Sequence, residues 1–292
     1  MELPVDQTIK SLLDNKLNDL EKHLNADVIW FYGPIQDGSE QVFLELVEQL
    51  VVDDNKKNTL YIILTTPGGS AVAVERYVNI VRHHYQEVNF IVPNYAYSAG
   101  TIFCMSGDNI FMDYSSVLGP IDPQVVNKEG KMVPALGYLD KVNELIQKSQ
   151  NGQLSQAEFI ILKEFDLAEL RAYEQAKELT IDQLKKWLVK YKFKNWNKHK
   201  NDKTVTLEEK IKTAEEIADK LSNSNIWKSH GRPINIKILE EELKLKIEDF
   251  GKDQNLSNFL KTYNRLIIDY INKNVYIIFI HTRRTIYAIR SR

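Results

Sequence analysis

A single serine stands inside "PNYAYSAGT", residues 93–101, directly after the apolar run "VNFIV". A hydroxyl held where a strand ends and a helix begins sits at the mouth of a sheet. Ser98 is there a candidate nucleophile, and the backbone N–H of Ala99 a candidate donor to a developing oxyanion. Small neighbours leave room for a substrate carbonyl. The plainer reading is a serine that caps its helix. A second corner, "TTPGGSA" at 65–71, runs from a strand through Pro67, Gly68 and Gly69 into a helix. Glycines at a helix start let backbone N–H groups face an anion, although a simple tight turn needs them too. The corners lie about thirty residues apart, each at the end of a parallel strand. Crossover packing makes them neighbours, as a nucleophile and an oxyanion hole must be.

The elements that would position these corners alternate along the chain. "DVIWFYGPI" (27–35), "TLYIILTT" (59–66), "VNFIV" (88–92) and "NIFMD" (109–113) read as strands. Between them "SEQVFLELVEQLVV" (39–52) and "SAVAVERYVNIVRHH" (70–84) carry helical spacing, and "GTIFCMSG" (100–107) reads as a short buried helix. This alternation predicts an α/β fold with a parallel sheet flanked by helices. Beyond about residue 135 the pattern turns helical, with Thr206 and Glu209 spaced as a capping box and "VYIIFI" (275–280) as a late strand. The organisation expected is a catalytic domain over 25–150 and a mainly helical C-terminal extension over 151–292.

Composition excludes several classes. The chain has 292 residues, 43% hydrophobic and 27% charged, with a formal net charge of −2. No global polyanion-binding signal exists. One cysteine, Cys104, forbids an internal disulfide and argues against a cysteine-built metal site. The polar N-terminus lacks a signal-peptide pattern, and no run approaches the ~20 apolar residues of a membrane span. The expectation is a cytoplasmic protein without metal or cofactor.

Three stretches, "LTTPGGSAVAVERYVNIV", "YAYSAGTIFCMSGDNIFMDYSSVLGPIDPQ" and "IWKSHGRPI", resemble the ClpP-class serine proteases, and within them the serine dehydrogenase proteinase family, relatives of signal peptide peptidase A. The resemblance spans roughly 28–150 and continues loosely through "SHGRP". It implies a ClpP/crotonase-type fold and serine-dependent hydrolysis of peptides, usually in an oligomer. By that resemblance Ser98 matches the nucleophile and Gly69 and Ala99 the oxyanion donors, with Gly68 shaping the turn. ClpP carries a histidine where this chain reads "SSVLGPIDPQ", so a lysine base of the peptide-peptidase kind is implied. Lys141 and Lys148 fall in the expected window, seven residues apart on one helical face. Lys141 is preferred, near the helix start, where the dipole and burial would depress its pKa. The plainer reading makes both lysines solvated surface charges.

Asp122, between two prolines, could orient a base or fix its turn, and His230 in "SHGRP" could reach in as a base or serve as a structural residue. His23, His83, His84, His199 and His281 read as surface or helix-end residues. "KKWLVKYKFKNWNKHK" (185–200) could meet nucleic acid or an acidic membrane; the plainer reading buries its aromatics and solvates its charges. The function expected is a serine endopeptidase acting on unfolded or extended polypeptides, a homo-oligomer with no nucleic-acid partner. Membrane association stays open without a transmembrane segment to require it. The rivals are an inactive scaffold of the same fold and a crotonase-like acyl-thioester enzyme.

Overall fold

A computed structural model describes residues 4–52, 54–127, 130–199 and 201–291. In chain order it contains α1 (Pro4–Leu24), β1 (Asp27–Tyr32), α2 (Glu40–Val51), β2 (Thr59–Thr65), α3 (Ala71–His84), β3 (Glu87–Ile91), β4 (Tyr95–Ala96), α4 (Ala99–Met105), β5 (Asn109–Met112), β6 (Val117–Leu118), β7 (Gln124–Val126), β8 (Met132–Pro134) and α5 (Ala135–Gln150). There follow α6 (Gln156–Lys163), α7 (Leu167–Trp187), a π-helical turn (Leu188–Lys192), α8 (Leu207–Leu221), α9 (Ser224–Trp227), α10 (Ile236–Glu241), β9 (Glu248–Asp249), α11 (Gln254–Asn274), β10 (Tyr276–His281) and β11 (Ile286–Arg290).

The central sheet runs β11-β10-β1-β2-β3-β5-β9. The five strands from β1 to β9 are parallel; β10 pairs antiparallel with β1, and β11 with β10. Register explains why the strands read as near-continuous apolar runs: both faces are covered. Ile29, Ile62, Phe90 and Ile110 line up across four strands on one face, against α2, α3, α4 and α7. Trp30, Ile63 and Ile91 line up on the other, under α1 and α11, which bring Leu13, Leu17, Leu260 and Ile267. The expected α/β fold, a mostly parallel sheet flanked by helices, is observed.

The segment 151–292 is mainly helical, yet it also closes the sheet, with β9 at one edge and β10–β11 at the other. The strand expected at 275–280 is β10. A buried charge cluster fastens it. Arg283, just past β10, donates to Asp27 at 2.8 Å and to Glu21 at 3.0 Å, and Asp27 also accepts the Tyr85 hydroxyl at 2.8 Å. Burial raises the Glu21 pKa despite the nearby guanidinium. His281 corrects an expectation. It is fully buried, its Nδ1 2.7 Å from the Tyr263 hydroxyl and its Nε2 2.9 Å from Asp14. Pairing of β10 with β1 carries it inward, which local sequence does not reveal.

Candidate active site

The end of β2 turns the chain into the first corner and pairs there with β4. Thr66 N donates to the Tyr95 carbonyl and Tyr97 N to the Thr66 carbonyl, each at 3.0 Å. The two corners are therefore neighbours, as the crossover argument requires. The Thr101 hydroxyl locks the second corner, lying 2.8 and 2.9 Å from the Ala96 and Gly119 carbonyl oxygens and accepting from Gly119 N at 3.0 Å. Close approach also explains the small residues behind the serine: a Cβ on Gly100 would lie 2.4 Å from the Thr66 methyl.

Ser98 occupies the N-cap position of α4, but its hydroxyl makes no capping bond. Its backbone stands at φ 52° and ψ −116°, a left-sided conformation that a residue with a Cβ adopts only at a cost of about 1–3 kcal/mol. Ser70, at the N-cap of α3, is the contrast. It has ordinary extended geometry and accepts from Ala73 N at 3.2 Å. The plainer reading of Ser98 as a cap therefore fails. The strained corner instead holds Ser98 on the wall of a cavity.

Gly69 shapes the facing wall. Ile35 N donates to the Gly68 carbonyl and Ser70 N to the Ile35 carbonyl, both at 2.9 Å. In such a parallel bridge the Gly69 amide points away from Ile35. The turn tolerates no side chain, because φ is +143° and a Cβ would lie 1.9 Å from the Ile35 carbonyl oxygen. Among the described residues, neither the Gly69 nor the Ala99 amide donates a hydrogen bond. Ser98, Gly69 and Ala99 together line one cavity of about 610 Å³. The cavity is walled opposite by Ala176, Leu179 and Thr180 of α7. No local signal in the sequence announced α7 as a wall, since it arrives from the long helical segment. Asp37, whose carboxylate accepts from the Ser70 hydroxyl, is the sole ionisable side chain on this lining among the described residues.

The expected base is not in this cavity. Lys141 lies on the exposed side of α5, about half exposed, with Nζ 3.0 Å from Glu144. The burial expected of a lysine base is not met in this chain. Lys148 is bound by Glu144 at 3.1 Å and Glu158 at 2.6 Å. Those carboxylates raise its pKa, the wrong direction for a base. The amphipathic helix was legible, but its solvent-facing stripe carries both lysines.

His230 and Asp122 do come together. An antiparallel bridge, Leu118 to Ile234, lays "SHGRPI" against "LGPIDPQ". His230 Nδ1 is buried, without a hydrogen-bond partner among the described residues, and 4.0 Å from Asp122 Oδ2. Asp122 Oδ1 accepts Leu136 N at 3.1 Å, so this carboxylate anchors the first turn of α5. Burial raises the Asp122 pKa. Its neighbours Ile121 and Pro123 line the Ser98 cavity, whereas Asp122 and His230 line a smaller adjoining cavity of about 200 Å³. Among the described residues no group of His, Cys, Asp and Glu is arranged to hold a metal ion.

A family model described as ClpP-like SDH-type serine proteinase matches residues 36–219, more than half of the chain. The chain belongs to that family. The match takes in both corners, α7 and all of the cavity lining except Pro34 and Ile35. Two uncharacterized proteins of Methanocaldococcus jannaschii are similar in sequence. One is 40% identical over 70 residues, 24% of either chain; the other is 32% identical over 127 residues, 41% of this chain and 43% of the relative. The matched spans thus cover less than half of each relative. Among solved structures, a mutant of the 1510-N membrane-bound stomatin-specific protease aligns over 79% of this chain and 83% of its own, at 15% identity and TM-score 0.44. A second mutant of that protease, in complex with a substrate peptide, aligns over 76% and 75%, at 15% and 0.41. The family is described as one of serine proteinases, and both Ser98 and the Pro67–Gly69 turn fall within the matched span.

Proposed function

We propose that Ser98 is the nucleophile and that the Gly69 and Ala99 amides form the oxyanion hole of an endopeptidase for extended polypeptides. The observation that carries this reading is the Ser98 corner. Its backbone is strained, its hydroxyl does no capping, and two undonated amides share its cavity. Ser98 Oγ would attack the scissile carbonyl as its proton passes to a base. The carbonyl oxygen would gain negative charge between the two amides, and the leaving amine would take the proton back. An acyl-enzyme on Ser98 would then be released by water. No step calls for a cofactor.

For the base we retain Lys141, brought to Ser98 by re-seating of α5 or by a neighbouring copy of the chain. Assembly is favoured by α6, on which Phe159, Ile160 and Ile161 are more than half exposed and no residue is buried. The contact between His230 and Asp122 favours a second reading, in which this pair, one wall away from Ser98, supplies the base. An extended backbone suits the cavity, because a substrate strand running beside the Pro67–Gly69 turn would offer its carbonyl to the Gly69 amide. We also place the enzyme in the cytoplasm; no described helix is long and apolar enough to cross a membrane.

The test is labelling with a fluorophosphonate probe, followed by peptide mapping, alongside hydrolysis of an unfolded protein substrate. The expected result is modification at Ser98 and loss of labelling and cleavage in Ser98→Ala. Cleavage retained by that variant would end the assignment.

A further inference from the structure

A second cavity, of about 560 Å³, opens at the far end of α3. The helix starts at Ala71 on the Ser98 cavity and ends with Arg82, His83 and His84 on this one. Its 14 residues separate the two by ~20 Å. The lining gathers cations from three separate parts of the chain: Lys56 ahead of β2, the end of α3, and Lys190 and Lys194 around the π-helical turn. Basic residues in the last turn of α3 complement the helix dipole, and that alone would explain His83 and His84. It does not explain Lys56, Lys190 and Lys194, which belong to other segments. The basic stretch 185–200 is thereby resolved into two parts. Trp187, Leu188 and Phe193 are buried, while Lys190 and Lys194 turn to the cavity.

The charges are not balanced. Asp108, buried behind the wall, pairs with both Arg82 and Lys194. Glu48 of α2 acts on His84 from its side. No carboxylate lines the cavity itself among the described residues. Lys56 and Lys190 form no ion pair among the described residues. Each rests over a tyrosine ring, Lys56 5.4 Å from the centroid of Tyr85 and Lys190 5.1 Å from that of Tyr191. Arg82 stacks on Tyr191 at 3.8 Å, and its Nε is buried without a hydrogen-bond partner among the described residues. The side chain of Arg82 is only 8% exposed, so a fixed, desolvated guanidinium backs the cleft. The pKa of His84 is lowered, by burial first and then by His83 and Lys56, with Glu48 opposing.

We infer that the cleft formed by Lys56, the end of α3 and Lys190 binds a small polyphosphate anion. One carboxylate or one halide cannot answer cations arriving from three directions, whereas a chain of phosphates carries several charged oxygens at once. The aromatic faces are already taken by cations, so the phosphates and not a stacked base supply the recognition. The site is separate from the Ser98 cavity, and its occupancy is measurable whether or not Ser98 is a nucleophile.

The experiment is calorimetric titration of the full chain with sodium tripolyphosphate at about 150 mM salt, where weak surface pairing is screened. Lys56→Ala/Lys190→Ala, two partly exposed positions, is titrated beside the parent after circular dichroism confirms its fold. Saturable binding, weakened about tenfold or more in the double variant, is expected. Histidine NMR of the saturated protein should show His84 titrating at a higher pH than in the free protein. ATP binding no more tightly than tripolyphosphate means that phosphates alone are read and supports the site, whereas ATP binding about tenfold or more tightly would overturn recognition by phosphates alone. The inference is overturned by no saturable binding up to about 1 mM, by equal affinity in the double variant, or by a single-stranded RNA that displaces tripolyphosphate and binds more tightly than either small ligand.

Discussion

Replacing Ser98 by glycine should stabilise the protein while silencing it. Ser98 holds φ 52° and ψ −116°, where a Cβ crowds the backbone, and such residues cost about 1–3 kcal/mol. The Cβ is also hemmed in on the facing turn, since a Cβ placed on Gly68 would come within 2.9 Å of it. Glycine removes this strain but returns about 0.5–1 kcal/mol through the greater freedom of the unfolded chain. The side chain borders a cavity, so its loss opens no hole in the core. Ser98→Ala is the correct reference, because it removes the same hydroxyl and keeps the Cβ. Ser98→Gly should therefore exceed Ser98→Ala in stability by about 0.5–2 kcal/mol, or roughly 1–6 °C in melting temperature for a chain of this size. Differential scanning calorimetry of the two variants reads the difference. A glycine variant that melts at or below the alanine variant would show that the corner is not strained, and would remove the main support for Ser98 as an activated residue.

Gly69→Ala should lower the cleavage rate by about 10²–10³-fold and reduce the melting temperature, because its Cβ would meet the Ile35 carbonyl oxygen at 1.9 Å; a variant with normal kinetics would free the Gly69 amide from any catalytic role. Lys141→Ala should cost orders of magnitude in rate and His230→Ala much less; the reverse ranking would assign the base to His230 and Asp122. Asp122, whose pKa is raised by burial, binds its proton more tightly when folded. It thus contributes stability that is fully present below its ordinary value of 3.8 and is lost as pH rises through the folded value. Urea denaturation between about pH 4 and 7 should show a flatter decline for Asp122→Asn, which keeps an acceptor for Leu136 N; parallel profiles would contradict this.

The sequence by itself determined the parts that local patterning controls. Strand and helix alternation from Asp27 to Met112 follows from apolar runs and 3.6-residue spacing, and the capping box of Thr206 and Glu209 forms as its spacing requires. Adjacency of the two corners was also legible, because parallel crossovers leave few alternatives. Tertiary structure alone decided the rest. Whether Ser98 caps its helix or is strained depends on φ and ψ, which are imposed by Thr101 and by the pairing of Thr66 with Tyr95 and Tyr97. Whether Lys141 is buried depends on which stripe of α5 meets the small β7–β8 hairpin and α7, and there the tertiary contacts bury Leu139 and Val142 and leave the lysine in water. The approach of His230 to Asp122, the inward turn of His281 and the convergence of Lys56 with Lys190 all join residues more than a hundred positions apart or on different faces of the chain. Long-range pairing of that kind carries no local periodicity, so it is fixed only when the sheet edges close and the helices pack.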